Sequence, residues 1–188
     1  MRIPRNPNPP PPVAPLPEGK DEWYTPPWLL DWLGPIALDP CWSPACYVQA
    51  ATTLDIRRLQ DGLADEWRPV GPGVVYCNPP FSNTSAWMAK AAAEAERLQR
   101  VVVALVPSQP GDNPWHKHVW HRAEATGFLA GRLKFISPGG VEKVRGRGHA
   151  LVLYGPADDV VAQRERIRAA AARHPRAPVW VQEVPPWV

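Results

Sequence analysis

With 188 residues, of which 45% are hydrophobic and 21% charged, the chain is long enough to bury one core and too apolar for a disordered tail. A formal net charge of +3 permits a polyanionic partner but excludes a histone-like polycation. Three cysteines are too few for a disulfide framework, and no run of about 18 apolar residues exists. With no apolar leader at the N-terminus, the expectation is a soluble, cytoplasmic protein without membrane contact, monomeric by default.

Many of the 26 prolines lie at the two ends. Residues 1–20 are expected to be a polyproline-like arm, because a segment so rich in proline cannot make a helix or central strand and has little to bury. A folded domain is expected over residues 21–184, with a tail at 185–188. Thr25 and Pro26 read as the N-cap and first position of a helix over residues 28–33, which Gly34-Pro35 stops. Ile36-Ala37-Leu38 is then a short buried strand that delivers Asp39 at its C-terminal end. Between Cys41 and Trp67 the signals are weaker: a short strand or helix over residues 48–54 and a turn at Asp61-Gly62.

Val74-Val75-Tyr76-Cys77 is a second buried strand, and it empties directly into Asn78-Pro79-Pro80-Phe81-Ser82. A helix is expected over residues 84–98, followed by the strongest strand signal, Val101 to Val106. Next come a helix over residues 115–125 and a strand over residues 128–136. Its hairpin partner is expected over residues 149–154, across a Gly- and Arg-rich connection. A helix over residues 157–173 and a strand-like piece over 178–184 complete the chain. Alternating strands and helices predict an α/β fold with a mostly parallel sheet, made mixed by an antiparallel hairpin at one end.

The chemistry concentrates at Asn78-Pro79-Pro80-Phe81. Two prolines fix two φ angles, hold the preceding residue extended and remove two N–H donors. A rigid loop of acceptors suits a planar ring that carries an amino group. The Asn78 side-chain oxygen takes one amino proton, the Pro79 carbonyl takes the other, and Phe81 stacks on the ring. Accepting both protons aims the nitrogen lone pair at an electrophile, so positioning supplies much of the rate. The loop's place after a buried strand is where open α/β sheets bind ligands.

In order, the chain carries Asp21-x-Trp23-x-Thr25-Pro26, Leu38-Asp39-Pro40-Cys41, Asp61-Gly62-Leu63 with Trp67, and Tyr76-Cys77-Asn78-Pro79-Pro80-Phe81-Ser82 with Trp87. Leu105-Val106-Pro107 and Gly131-Arg132-Leu133-x-Phe135 follow. This set, spanning residues 21 to 154, resembles the phage-type Dam family of DNA N6-adenine methyltransferases, which use S-adenosylmethionine. The resemblance implies a Rossmann-like class I methyltransferase fold, DNA as partner, and a setting in phage DNA methylation or restriction-modification inside a bacterial host. It also implies roles. Asp39 and Pro40 meet the methionine end of the cofactor, and Trp23, Thr25 and Pro26 pack beside that end. Asp61 accepts from the cofactor's adenine amino group with Leu63 against its ring, and Asn78, Pro79, Pro80 and Phe81 hold the target base. Asp39-Pro40 is followed by Cys41-Trp42-Ser43-Pro44 instead of a glycine-rich loop, a lack the family shares.

A duplex hides the adenine amino group, so the base has to be flipped out against a cationic surface. Arg132, Lys134, Lys143, Arg145 and Arg147, opposed by Glu142 alone, are the expected phosphate contacts. A second rim, Ser108 to His118, reads more readily as a helix entry with a packed Trp115. Cys41, Cys46 and Cys77, with His116, His118, His121 and His149, invite a zinc reading, but the cysteine spacing matches no standard finger, so no metal is expected and the thiols read as small buried hydrophobes. The same loop could serve cytosine N4 methylation. Methylation of RNA or of a protein amide also uses such loops, but the Trp23-x-Thr25-Pro26 and Asp61-Gly62-Leu63 context argues against both. From a different class, the chain could be a catalytically inactive nucleic-acid-binding relative.

Overall fold

In the run from Val102 to Pro107 successive side chains face opposite sides of the strand, and both sets are apolar, so the sheet needs cover on both faces. The computed structural model describes residues 22–55, 58–144 and 146–181; the proline-rich arm, Asp21, Arg145 and the tail lie outside them. In chain order α1 (Pro27–Leu33), β1 (Ile36–Leu38), β2 (Val74–Cys77), α2 (Thr84–Leu98), β3 (Val102–Pro107) and α3 (Asn113–His118) come first. They are followed by β4 (Ala125–Leu129), β5 (Lys134–Ile136), β6 (Glu142–Val144), β7 (His149–Tyr154), α4 (Ala157–Ala171) and β8 (Pro178–Val181).

The main sheet has six strands in the order β1-β2-β3-β7-β4-β8, and β5 with β6 forms a separate two-stranded ladder. β1, β2 and β3 are parallel, β7 runs antiparallel to both β3 and β4, and β8 runs antiparallel to β4. One face packs Val103, Leu105, Leu151 and Leu153 against Leu29 and Leu33 of α1 and Val160 and Ile167 of α4. The other packs Val102, Ala104, Val106 and Val152 against Met88, Ala91 and Ala95 of α2 and Trp115 of α3. Each such buried side chain contributes about 1.5–3 kcal/mol over an exposed one, which makes this double-sided burial the main source of stability.

Several elements differ from the sequence expectation. Pro26 is the N-cap of α1 and Pro27 its first residue, so Thr25 sits one step too early to cap and spends its hydroxyl elsewhere. The single strand expected over residues 128–136 is broken at Gly131, whose φ of +69° diverts the chain. Its first part joins the main sheet as β4, and its second leaves to pair with β6. β7 is therefore a central strand inserted between β3 and β4, not the partner of residues 134–136, and all six of its residues are buried. The helix expected over residues 115–125 shortens to α3, because Ala125 and Thr126 pair with Leu153 and Val152 of β7.

Residues 48–54 supply parallel bridges on the outer side of β1, Ile36 with Ala50 and Asp39 with Thr53. The chain thus leaves β1, runs up on one side of it, and returns as β2 on the other. That change of direction opens the space beyond the carboxyl ends of β1 and β2, the usual position of a ligand crevice in an open α/β sheet.

Candidate active site

β1 ends in Asp39, which is only 3% exposed. Its backbone is pinned by bonds to residues 50–54: the Asp39 N–H donates to Thr52 O at 3.0 Å, and Leu54 N–H donates to Asp39 O at 3.0 Å. Its Oδ1 accepts the Cys41 N–H at 2.8 Å. Burial pushes the Asp39 carboxyl up to about 7, and the Cys41 bond opposes that shift only partly. Pro40 has no N–H and the Cys41 N–H is already committed, so the first two residues of the turn after β1 offer no free donor.

Three close approaches draw the separate segments to this corner. The Cys41 and Cys77 sulfurs lie 3.4 Å apart, which sets the exits of β1 and β2 side by side. Cys41 and Cys46 are only partly buried, and Cys77 alone is the buried small hydrophobe expected of all three. At Gly62 a Cβ would fall 2.2 Å from the Pro40 carbonyl oxygen and 2.6 Å from the Trp87 ring. Only glycine lets the Asp61-Gly62-Leu63 turn lie on Pro40. The turn is closed by Leu63 N–H donating to Asp61 Oδ1 at 2.8 Å, and the Trp67 indole N–H donates to Gly62 O at 2.7 Å. The third approach joins Thr25 and Tyr76, whose buried hydroxyls are 2.6 Å apart.

β2 empties into the proline loop. The Asn78 amide donates from Nδ2 to the Trp23 carbonyl at 2.8 Å, while its Oδ1 is buried with no partner among the described residues. A buried acceptor left unpaired costs about 1–3 kcal/mol, so an unfilled one calls for a reason. Further along the loop, the Pro80 carbonyl accepts the Asn83 N–H at 3.2 Å, and the Phe81 carbonyl accepts the Thr84 hydroxyl at 3.1 Å. Pro79 is buried, Phe81 is half-buried and Ser82 is exposed, so the loop stands at the molecular surface. Phe81 rests edge-on against Phe135, centroids 5.6 Å apart, and tilted against His149 at 5.2 Å. Trp23 and its neighbour Tyr24 tie the loop to β5, since Tyr24 and Ile136 exchange backbone bonds of 2.9 and 3.0 Å.

Arg132, Lys134, Lys143 and Arg147 are all exposed along and beside the β5–β6 ladder, and Arg145 lies outside the described residues. Lys134 faces Glu142 at 3.6 Å, with both side chains more than half exposed, a pairing too solvated to hold the lysine back from another anion. Trp115 is packed inside, its indole N–H donating to Pro107 O at 3.1 Å, so the Ser108 to His118 segment is a helix entry. Among the described residues no three His, Cys, Asp or Glu side chains converge, and no helix is long and apolar enough to cross a membrane.

Trp23, Thr25, Pro26, Asp39, Pro40, Asp61 and Leu63 thus gather with Asn78, Pro79, Pro80 and Phe81 around the exits of β1 and β2, and the cations stand apart on the ladder. Sequence reasoning missed His149, a lone histidine at a strand start that carries no local signal. It also missed the Trp23 carbonyl, because a backbone group leaves no trace in residue identity.

The sequence model of a family described as DNA N-6-adenine-methyltransferase (Dam) matches residues 15–157. No curated protein matches the chain.

Two outcomes follow from this geometry. The folded Asp39 carboxyl titrates near 7 instead of 3.8, so its protonated form favours folding, and that advantage is lost as pH rises through this window. Asp39→Asn should therefore raise the melting temperature of the ligand-free protein at about pH 8 by more than at about pH 5. A pH-independent difference would refute the burial argument. Gly62→Ala should destabilise by roughly 2–4 kcal/mol in denaturant titration, since neither the Pro40 backbone nor the Trp87 ring yields cheaply. An unchanged midpoint would mean that the Asp61 turn does not need its contact with Pro40.

Proposed function

The chain belongs to the Dam family of DNA N-6-adenine-methyltransferases, and from that membership we propose how its site holds base and cofactor. It methylates adenine N6 in DNA, so DNA is its substrate, and the cytosine reading is set aside. The observation that carries the mechanism is the pinned Asn78 amide. With Nδ2 held by the Trp23 carbonyl, the side chain has a fixed orientation and an unfilled acceptor. A flipped adenine offers two amino protons, one for Asn78 Oδ1 and one for the Pro79 carbonyl, with its ring on Phe81. Holding both protons turns the nitrogen lone pair out of the loop, toward Asp39 on the neighbouring strand. The Pro80 and Phe81 carbonyls are already committed, which leaves the Pro79 carbonyl for this task.

The proposed cofactor is S-adenosylmethionine, and the residues fit it. Asp39 is a buried carboxyl raised by desolvation, with no cation among the causes acting on it, so among the described residues it has no positive partner of the kind a methionyl ammonium would provide. Trp23, Thr25, Pro26 and Pro40 would pack beside that end. The Asp61 turn, laid on Pro40, would bring the second carboxylate oxygen of Asp61 and the Leu63 side chain to the adenosine end. When bound, the cofactor supplies an electrophilic methyl group on a sulfonium.

The Rossmann-like class I reading of residues 21–184 is supported by the change of chain direction around β1, and the β5–β6 ladder stands apart from the six-stranded sheet. Arg132, Lys134, Lys143, Arg145 and Arg147 would contact phosphates there. A monomer of phage or prophage origin, acting on DNA in the cytoplasm of a bacterial host, as in restriction-modification, completes the proposal.

Asn78→Ala should lower methyl transfer by about hundredfold or more while cofactor binding persists, read by mass spectrometry of nucleosides from methylated DNA. Turnover near wild type would remove Asn78 from the mechanism. Joint Lys143→Glu and Arg147→Glu substitution should weaken DNA binding and lower the slope of log affinity against log salt by about two. A slope equal to wild type would place the phosphates elsewhere.

A further inference from the structure

Phe81 is half-buried, and what lies behind it decides where its open face points. Two rings do so. Phe135, fully buried on β5, meets it edge-on at 75°, and His149, 2% exposed at the start of β7, lies against it at 35°. His149 and Phe135 also touch each other, centroids 4.8 Å apart at 70°, so the three rings form a closed triangle. Phe81 is its only partly exposed member. His149 itself is immobilised by the sheet, since it pairs in register with Pro107 at the end of β3.

Packing alone does not explain a histidine here. Its Nδ1 is buried without a partner among the described residues, a cost that a phenyl ring or leucine would avoid. Burial pushes the imidazole down to about 4, so near neutral pH the ring is uncharged and behaves as a flat aromatic. Phe135 and His149 moreover lie close in the chain to exposed cations: one directly follows Lys134, and the other lies two residues past Arg147.

We propose that His149 is a positioning residue for the target base, its flat ring backing Phe81 so that the Phe81 face stays presented to a base held by Asn78. The inference rests on the reading of Phe81 as the base-stacking ring. His149 acts through Phe81 and does not touch the substrate. An aromatic replacement therefore serves in its place, while an aliphatic one fills the volume without fixing the tilt.

The test compares His149→Leu and His149→Phe in the wild-type and Phe81→Ala backgrounds, measuring KM for DNA, kcat, and S-adenosylmethionine binding as a check on folding. His149→Leu should raise KM for DNA about tenfold with cofactor affinity unchanged. His149→Phe should recover most of that loss. With Phe81→Ala in place, His149→Leu should add nothing further, because the route it acts through is gone. Independent, multiplying effects in the double variant overturn the proposal, as does a His149→Phe variant no better than His149→Leu. If Phe81→Ala alone leaves KM and kcat at wild-type values, the stacking role of Phe81 fails first and the inference falls with it.

Discussion

The bond from Asn78 Nδ2 to the Trp23 carbonyl is the contact on which the site depends. A side-chain amide is a donor and an acceptor on one rotor, and either end can be turned toward a ligand. Here the donor end is spent on a main-chain oxygen fifty-five residues earlier, which favours one orientation of the amide and leaves the buried acceptor end without a partner among the described residues. The anchor is itself anchored. Tyr24, next to Trp23, bridges to Ile136, and Thr25 bonds the Tyr76 hydroxyl two residues before Asn78. The short segment ahead of α1 therefore clamps the loop from outside while β2 fixes it from within.

Around this clamp, the arrangement depends on small residues at points of closest approach. Gly62 allows the Asp61 turn to rest on the Pro40 carbonyl, and the Cys41 and Cys77 thiols fill the seam between the ends of β1 and β2. Trp67 and Trp87, both buried, close the space beneath, one bonding the Gly62 carbonyl and the other lying under its α-carbon. The tryptophans are thus mainly shims that hold loop backbones at fixed heights over the sheet. Fixed heights matter because a transfer reaction tolerates only fractions of an ångström between the reacting atoms.

What the sequence disclosed and what it hid divide along the range of the interactions. β1, β2 and α2 are legible because each is an apolar or alanine-rich run bounded by Gly, Pro or Asn. The proline loop is legible because its restriction is covalent. The destination of residues 125–154 is not local. Nothing in Ala125-Thr126-Gly127-Phe128-Leu129 announces a partner, and its place is set by β7, a strand some twenty residues later that lies antiparallel between it and β3. The positive φ at Gly131, which separates the paired strand from the cationic ladder, looks in sequence like any glycine within a strand. His149 was invisible for the same reason: its meaning comes from Phe81 and Phe135, each distant in the chain.

The missing glycine-rich loop fits the polarity of the whole corner. A row of free N–H groups at a helix start binds anions. In this chain the first two residues of the equivalent turn have none to give, since Pro40 lacks one and the Cys41 N–H serves Asp39. What remains is a set of acceptors: the Asp39 and Asp61 carboxylates, Asn78 Oδ1 and the Pro79 carbonyl. Acceptors select donors and cations, and the ligands of an amino-methylation site are of that kind, with an ammonium, a sulfonium and an aromatic amine in one space. Burial that pushes Asp39 up to about 7 disfavours a bare charge there, and under the proposed function an arriving ammonium would favour the ionised carboxylate. A corner built from carbonyls and carboxylates therefore has no use for a phosphate-type cradle, and under the proposed function the anionic backbone of DNA would fall to the lysines and arginines of the exposed ladder.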